Sequence, residues 1–364
     1  MNRKLYLYLA DDYIGELTVA QVCGRETWMF RYDDAYLGDS RPMIDPSISN
    51  VRGPQFPLRG VEFGFLSDAA PDRWGRKLIQ RREGRGLHES DYLLGVCDFT
   101  RQGALRIKED QGGDFVAAGI EDAAPPWTTL RRLEDSARHI DADDRGMDEG
   151  RWLKDLLHPG SSLGGARPKA NVTAPDGSLW IAKFPSARDE WDVGEKEYRT
   201  SQIARAVGLD VPDTKRRKLS KNGTTFFSKR FDRDGARRIH YASAMTMLGA
   251  ADGDGDHSYL EIAEFIAAHS AEAEKDLREL WGRMVFYELV GNTDDHLRNH
   301  GFLLTKKGWR LSPMFDVNPN PYGGEGAIDK GDIFKDAAYY RLTASQARRR
   351  YEEIKAVVSK GGVF

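Results

Sequence analysis

Residues 292–304 read NTDDHLRNHGFLL, and the first nine of them hold two adjacent aspartates, two histidines and two asparagines. Asp294 and Asn299 are separated by four residues, and another aspartate, Asp316, follows in GWRLSPMFDVNP. Between Asn299 and Asp316 the chain reads as a hairpin: HGFLL, the turn TKKG, then WRLSPMF. A hairpin folds the chain back on itself, so the spacing predicts that Asn299 and Asp316 become neighbours. One carboxylate beside one amide oxygen suits Mg²⁺, a hard cation that takes few protein oxygens and completes its shell with water and phosphates. Asp294 would stand close by, able to accept a proton from an incoming hydroxyl. Alone this pattern is weak, because polar loops beside hairpins are common.

Residues upstream supply what such a loop needs. Lys183 is a lone cation in the apolar strand LWIAKF, and an interior lysine is costly unless it is paired or holds an anion. About one helix further on, GEKEYRT offers Glu197 as its partner, or Glu195, since helix phase alone does not choose between them. Ahead of Lys183 lies GSSLGGARPK, residues 160–169. It fits no standard phosphate-loop expression, yet Gly164 and Gly165 permit close backbone approach to phosphate oxygens, with Arg167 and Lys169 as nearby cations. In order these are a glycine loop, a strand lysine, a helix glutamate, D-x-x-x-x-N, a hairpin and an aspartate. That order is the phosphoryl-transfer pattern of protein kinases.

The positioning elements are also legible. KLYLYLA, YIGELTVA and ETWMFRYD alternate with period two and predict strands. FPLRGVEFGFLSDAAPDRWGRKLIQRREG takes helical spacing, with Ser67 or Asp68 as the expected cap and Gly84 as the stop. ANVTAPDGSLWIAKF and the pair TKRRKLS/GTTFFSKRFD predict two hairpins flanking the helix DVGEKEYRTSQIARAVGL. EKDLRELWGRMVFYELVGN predicts a long amphipathic helix directly before the catalytic loop. The expected organisation is an N-terminal domain over 1–108, a connector over 109–150 carrying one or two helices, a strand-rich lobe over 151–232 and a helical lobe over 233–364. The fold class is α+β.

The bulk numbers exclude much. Lys and Arg total 54 against 57 Asp and Glu, so no global pull toward nucleic acid or membrane follows. Cys23 and Cys97 stand far apart and are expected as free thiols in a reducing compartment. The N-terminus lacks an apolar signal block, no run is long enough to span a bilayer, and a cytoplasmic protein is expected. ADGDGDHSYLEIAE fails as a calcium loop because His257 stands where glycine is needed and Ala263 where glutamate is needed. KRRKLSK, residues 215–221, is expected as a solvated face.

SLGGARPKA, WIAKFPS, FSKRFDR, RIHYASAMTMLG, NTDDHLRNHGFLL and LSPMFDVNP closely resemble the HipA-type serine/threonine kinases of bacterial toxin–antitoxin modules. The N-terminal YIGELTVAQVCGRETWMFRYDDAYL and DFTRQGALRI resemble the coupling domain that precedes that core, so the likeness covers nearly the whole chain. The resemblance implies a bilobed kinase-like fold that uses ATP and Mg²⁺, with Asp294 as base, Asn299 and Asp316 as metal ligands and Lys183 as phosphate-binding lysine. It implies that Ser162, Leu163, Gly164, Gly165, Glu197 and His296 contribute to the nucleotide site. KRFDR becomes the hinge, where backbone groups of Lys229 and Phe231 meet adenine and Asp232 sits near the ribose. Ser162, or Ser161 beside it, becomes an autophosphorylation acceptor. The implied partners are a protein substrate in translation, such as an aminoacyl-tRNA synthetase, and a small helix-turn-helix HipB-like antitoxin, with DNA reached only through that antitoxin. The alternative is a kinase-shaped module acting mainly by docking such an antitoxin.

Overall fold

The computed structural model describes residues 2–38, 42–58, 62–84, 86–118, 123–160 (backbone alone at 159–160), 165–251, 253–255, 257–320 and 326–362. Ser161, Ser162, Leu163 and Gly164 lie outside them.

The alternating N-terminal sequence forms β1 (Arg3–Leu9), β2 (Asp12–Val22) and β3 (Arg25–Tyr32). Leu5, Leu7, Ile14, Leu17, Trp28 and Phe30 are buried on one face. Two short helices follow, α1 (Gly64–Ser67) and α2 (Arg73–Glu83), then α3 (Glu89–Leu94) and β4 (Leu105–Lys108). The sheet is antiparallel in the order β3-β2-β1-β4. The cap expected at Ser67 or Asp68 falls elsewhere. Ser67 ends α1, and Asp72 caps α2 by accepting the Gly75 N–H at 2.6 Å. Pro71 disfavours helix at the residue before it, so the longer helix restarts beyond the proline. The stop at Gly84 holds, in the left-handed conformation at φ 63°.

The expected connector contains α4 (Leu130–Asp141) and the start of α5 (Glu149–Gly160). Leu130, Leu133, Ala137 and Ile140 form the buried stripe of α4. They share one core with Trp74 and Leu78 of α2, Trp152 and Leu156 of α5, and the sheet residues Val172, Trp180, Ala182 and Phe227. A fully buried side chain of this kind stabilises by about 1.5–3 kcal/mol. This segment is therefore part of the lobe it precedes.

That lobe is a four-stranded antiparallel sheet, β5 (Lys169–Thr173), β6 (Leu179–Lys183), β7 (Thr214–Ser220) and β8 (Gly223–Lys229), in the order β5-β6-β8-β7, with α6 (Val193–Ala206) inserted after β6. On the edge strand β7, residues 215–218 are all exposed cations, in accord with the solvated face expected there. The chain then runs through β9 (Arg233–Asp234), β10 (Arg237–Arg238), β11 (His240–Ser243), α7 (Ala244–Met247), α8 (Tyr259–His269) and α9 (Ala273–Leu289). The expected hairpin is β12 (Gly301–Thr305) and β13 (Gly308–Leu311), in a sheet ordered β11-β12-β13, and α10 (Ala344–Gly361) closes the helical lobe. From Leu277 to Tyr287 the helix α9 is buried almost all round, so it is the axis of this lobe rather than a surface helix. No helix among the described residues is long and apolar enough to cross a membrane.

Candidate active site

The two lobes and the N-terminal domain meet around a cleft of about 880 Å³. Lys183 ends β6 with its ammonium buried, 2.5 Å from Glu197 Oε1 and also paired with the Asp316 carboxylate. Glu197 rather than Glu195 is therefore the partner. Helix α6 is docked by Gly194, where any Cβ would lie 1.9 Å from the Thr224 carbonyl oxygen of β8. Asp192 caps the helix at the Glu195 N–H and also accepts the Thr224 N–H and hydroxyl. That docking turns Glu197 inward, while Glu195 pairs with Arg199 and Arg216 on the outside. Burial pushes the Lys183 ammonium below its ordinary range and Lys169 adds to this, against the pull of Glu197.

Asp294, His296, Asn299 and Asp316 all line this cleft. The loop that carries the first three is held by its neighbours. Asn292 Oδ1 accepts the Asn318 N–H at 3.3 Å, tying the Asp294 loop to the Asp316 loop. Asp295 faces the opposite way from its neighbour. It is fully buried and accepts the Tyr259 hydroxyl at 2.7 Å, with the His300 Nε2 2.9 Å away. The two adjacent aspartates thus divide into an anchor, Asp295, and an exposed carboxylate, Asp294, with His296 Nε2 3.6 Å from it. Asp316 sits at φ 57°, in the left-handed region that Asp tolerates better than most side chains. Behind it, the buried Arg283 holds the Ser312 carbonyl at 2.7 Å.

The Asn299 amide nitrogen donates to the Asp294 carbonyl at 2.6 Å, which orients the side chain and leaves Oδ1 as its acceptor. Among the described residues, no group of three or more His, Cys, Asp or Glu could hold a metal ion. One amide and one carboxylate oxygen on a shared cleft fit Mg²⁺, which keeps several waters and binds through one or two protein carboxylates plus phosphate.

Ile181, Val211, Phe231, Met314 and Phe315 give one part of the cleft an apolar lining that suits a flat base. At the hinge the Lys229 N–H is taken by the Asp213 carbonyl at 2.8 Å. The Phe231 amide has no hydrogen-bond partner among the described residues. Asp232 has a second, structural set of contacts. Its carboxylate accepts from Arg230 at 2.8 and 2.5 Å, from Arg233 at 2.8 Å and from the Gly103 N–H of the N-terminal domain at 2.7 Å. Burial would raise this carboxyl, but the two guanidiniums outweigh it and hold it far below the usual carboxylate range. Both oxygens are engaged, so Asp232 is an anchor between domains that also lines the cleft.

Residues 161–360 match the family described as the HipA-like C-terminal domain. The chain belongs to that family. This HipA-type chain is 26% identical over 317 residues to "Putative kinase Y4dM" of Sinorhizobium fredii, covering 79% of this chain and 71% of that protein. It is 30% identical over 314 residues to "Putative kinase Y4mE" of the same organism, with the same coverage. A Haemophilus influenzae protein named "Putative kinase" is 30% identical over 193 residues, 47% of this chain and 56% of that one. The HipA of Shewanella oneidensis MR-1, solved with HipB and its operator DNA, aligns with a TM-score of 0.70 at 18% identity over 98% of this chain and 89% of that chain. The fold is therefore the bilobed HipA type throughout, N-terminal domain included.

Sequence reasoning missed how far the HipA-type N-terminal domain enters the cleft. Glu62, Asp68, Asp72, Arg73 and Arg76 all line it. Asp68 Oδ2 accepts the Ser243 N–H at 2.7 Å, and the Trp309 indole donates to the Met43 carbonyl at 2.9 Å, so this domain also grips the helical lobe. Asp68 was singled out only as a helix cap, and Asp72, the residue that does cap α2 after Pro71, was not singled out. Burial, aided by Glu89, pushes the Glu62 carboxyl up to about 7, and its Oε2 has no partner among the described residues. A folded-state value above the ordinary one means that the group's stabilising contribution is full below pH 4.5 and is lost as pH rises through about 7. Glu62→Gln is expected to raise stability at pH 8 by ~1–2 kcal/mol, roughly one to three degrees in Tm for a chain of this size, with a much smaller gain at pH 5. Thermal melts at the two pH values check this, and equal shifts would remove Glu62 as the cause.

Proposed function

We propose that the chain is an ATP- and Mg²⁺-dependent serine/threonine protein kinase that acts as the toxin of a toxin–antitoxin module. The reading is carried by one observation, the buried Lys183–Glu197 pair facing Asp316 in the cleft that also holds Asp294 and Asn299. Adenine would lie on the apolar part of the cleft against Phe231, with its edge on hinge backbone. Lys183 would hold the α- and β-phosphates, and Gly165 at φ 94° allows the backbone to approach them. Asn299 and Asp316 would hold Mg²⁺, which when bound neutralises charge on the transferring phosphoryl group. The acceptor hydroxyl attacks the γ-phosphorus, the bond to the β-phosphate oxygen breaks, and Asp294 takes the hydroxyl proton.

The acceptor is a protein hydroxyl, with a translation factor such as an aminoacyl-tRNA synthetase as the expected target. The family resemblance also makes Ser162, or Ser161, a self-acceptor. A phosphate there would add nearly two negative charges to the loop that meets ATP and so oppose its binding. The Shewanella HipA was solved with HipB on operator DNA; by analogy a HipB-like antitoxin is the partner, with DNA reached through it.

The test is incubation with γ-labelled ATP and Mg²⁺ in a bacterial lysate, with thermal melts in parallel. ATP at one hundred times Kd should add about 2.7 kcal/mol of stability. Lys183→Met is expected to lose both the label and the ATP-dependent rise in Tm. A wild-type chain that labels nothing and melts unchanged with ATP would overturn the reading.

A further inference from the structure

Strand β7 is the outer strand of the four-stranded sheet, and among the described residues β8 is its only partner there. The Lys229 N–H donates to the Asp213 carbonyl, which sets the phase of the ladder. Lys215 opposite Phe227 and Arg217 opposite Thr225 therefore exchange backbone bonds with β8, and the N–H and C=O of Thr214 and Arg216 point outward. Such an edge is a template for one more strand. It is short, because the regular pairing is interrupted after Arg217.

The edge is also strongly cationic. Arg216 pairs with Glu195, whereas Lys215, Arg217 and Lys218 have no carboxylate partner among the described residues. Lysines on an edge strand are a common guard against unwanted pairing, so the surroundings must decide. By alternation Lys215 and Arg217 share one face of β7, and Arg216 takes the other. On the first face Trp127 stacks on Phe227, with ring centroids 5.0 Å apart. On the second, the Arg216 guanidinium lies 4.7 Å from the Tyr198 ring of α6. These rings and residues 214–217 line a groove of about 410 Å³ along the edge. A guard needs no walls, but a docked strand uses them to seat its side chains. Nucleic acid also seeks cations and rings. Here the rings already carry cations, since Lys215 Nζ lies 5.0 Å from the Trp127 centroid and 4.7 Å from that of Trp180. A base would have to displace that ammonium in order to stack, whereas a carboxylate can join it.

We propose that this edge docks an extended segment of a partner protein, antiparallel to β7 and alternating acidic with apolar residues. Its carboxylates meet Lys215 and Arg217. Its apolar side chains lie against Tyr198, because Arg216 already has Glu195. Residues 215–217 do not line the large cleft, so the proposal goes beyond the kinase reading and does not depend on it.

Fluorescence anisotropy on the full chain tests it with a labelled peptide of alternating glutamate and valine, as long as β7. That peptide is expected to bind, and a lysine–valine version is not. Lys215→Glu combined with Arg217→Glu is expected to weaken binding about tenfold or more, the scale of two exposed ion pairs reversed, and thermal melts check that the variant is folded. The strand pairing is tested on the wild-type chain with the peptide N-methylated on its valines, which face Arg216 and supply the backbone donors. Losing those hydrogen bonds is expected to cost on the order of tenfold in affinity. Equal binding of the methylated peptide would overturn strand addition in favour of charge attraction alone. Tighter binding of a labelled oligothymidylate than of the peptide would make the surface a nucleic-acid one, and binding of neither would leave the cations as a guard. Either result overturns the proposal.

Discussion

Asp294→Asn is expected to lower phosphoryl transfer by roughly 10²–10⁴-fold, the range contributed by a positioned general base, while ATP affinity stays within about twofold of wild type. The reason lies in the loop. Asp294 is exposed to the cleft, and its backbone carbonyl, not its carboxylate, orients Asn299. An isosteric amide therefore leaves the Asn299 side chain in place and removes only the proton acceptor. Labelled-ATP transfer and ATP-dependent Tm, measured on the same preparation, test the two halves of the statement. Lost ATP binding would mean that Asp294 carries a phosphate or metal role instead. Unchanged transfer would move the base elsewhere, His296 being the nearest titratable neighbour.

The largest stability effect is expected at Asp232. Removing one partner from a buried ion cluster leaves the others uncompensated, which destabilises by about 3–5 kcal/mol. Asp232→Asn leaves Arg230 and Arg233 without their carboxylate in a site closed to water. Arg230 also reaches the Thr100 carbonyl at 2.6 Å and Asn171 at 2.8 Å, so the loss spreads to the N-terminal domain and to β5. Urea denaturation should show the midpoint falling with little change in slope. A variant as stable as wild type would mean that these arginines find other anions when Asp232 is neutral. Because the chain passes from Lys229 and Phe231 directly into this cluster, nucleotide affinity should fall with it.

The residues that share the cleft were legible because their signals are local. The spacing from Asp294 to Asn299, the hairpin to Asp316 and the lone Lys183 in an apolar strand each sit within one or two elements. The choice of Glu197 over Glu195 was not legible. Helix phase is set by the Gly194–Thr224 approach, a tertiary contact with no signature in GEKEYRT. The anchoring role of Asp232 was hidden for the same reason: its third partner, Gly103, is 129 residues away in sequence. The connector over 109–150 was expected to carry one or two helices, and α4 and the start of α5 lie there; what its acidic composition does not announce is that the stripe Leu130, Leu133, Ala137, Ile140 packs into the core of the lobe that follows. Asp72 was hidden differently, since a cap needs no partner beyond its own helix and nothing local announces that it also lines the cleft.

The hydrophobic centre beneath the lysine-bearing sheet has a practical consequence for truncation. Half of it comes from α2, α4 and α5, all of which precede the segment that defines the family. A fragment excised at residues 161–360 would present Val172, Trp180, Ala182 and Phe227 to water as one bare apolar face, the kind of surface that drives aggregation. The smallest piece with a chance of folding as a unit reaches back at least to Trp74, and the recombinant boundary belongs there or earlier.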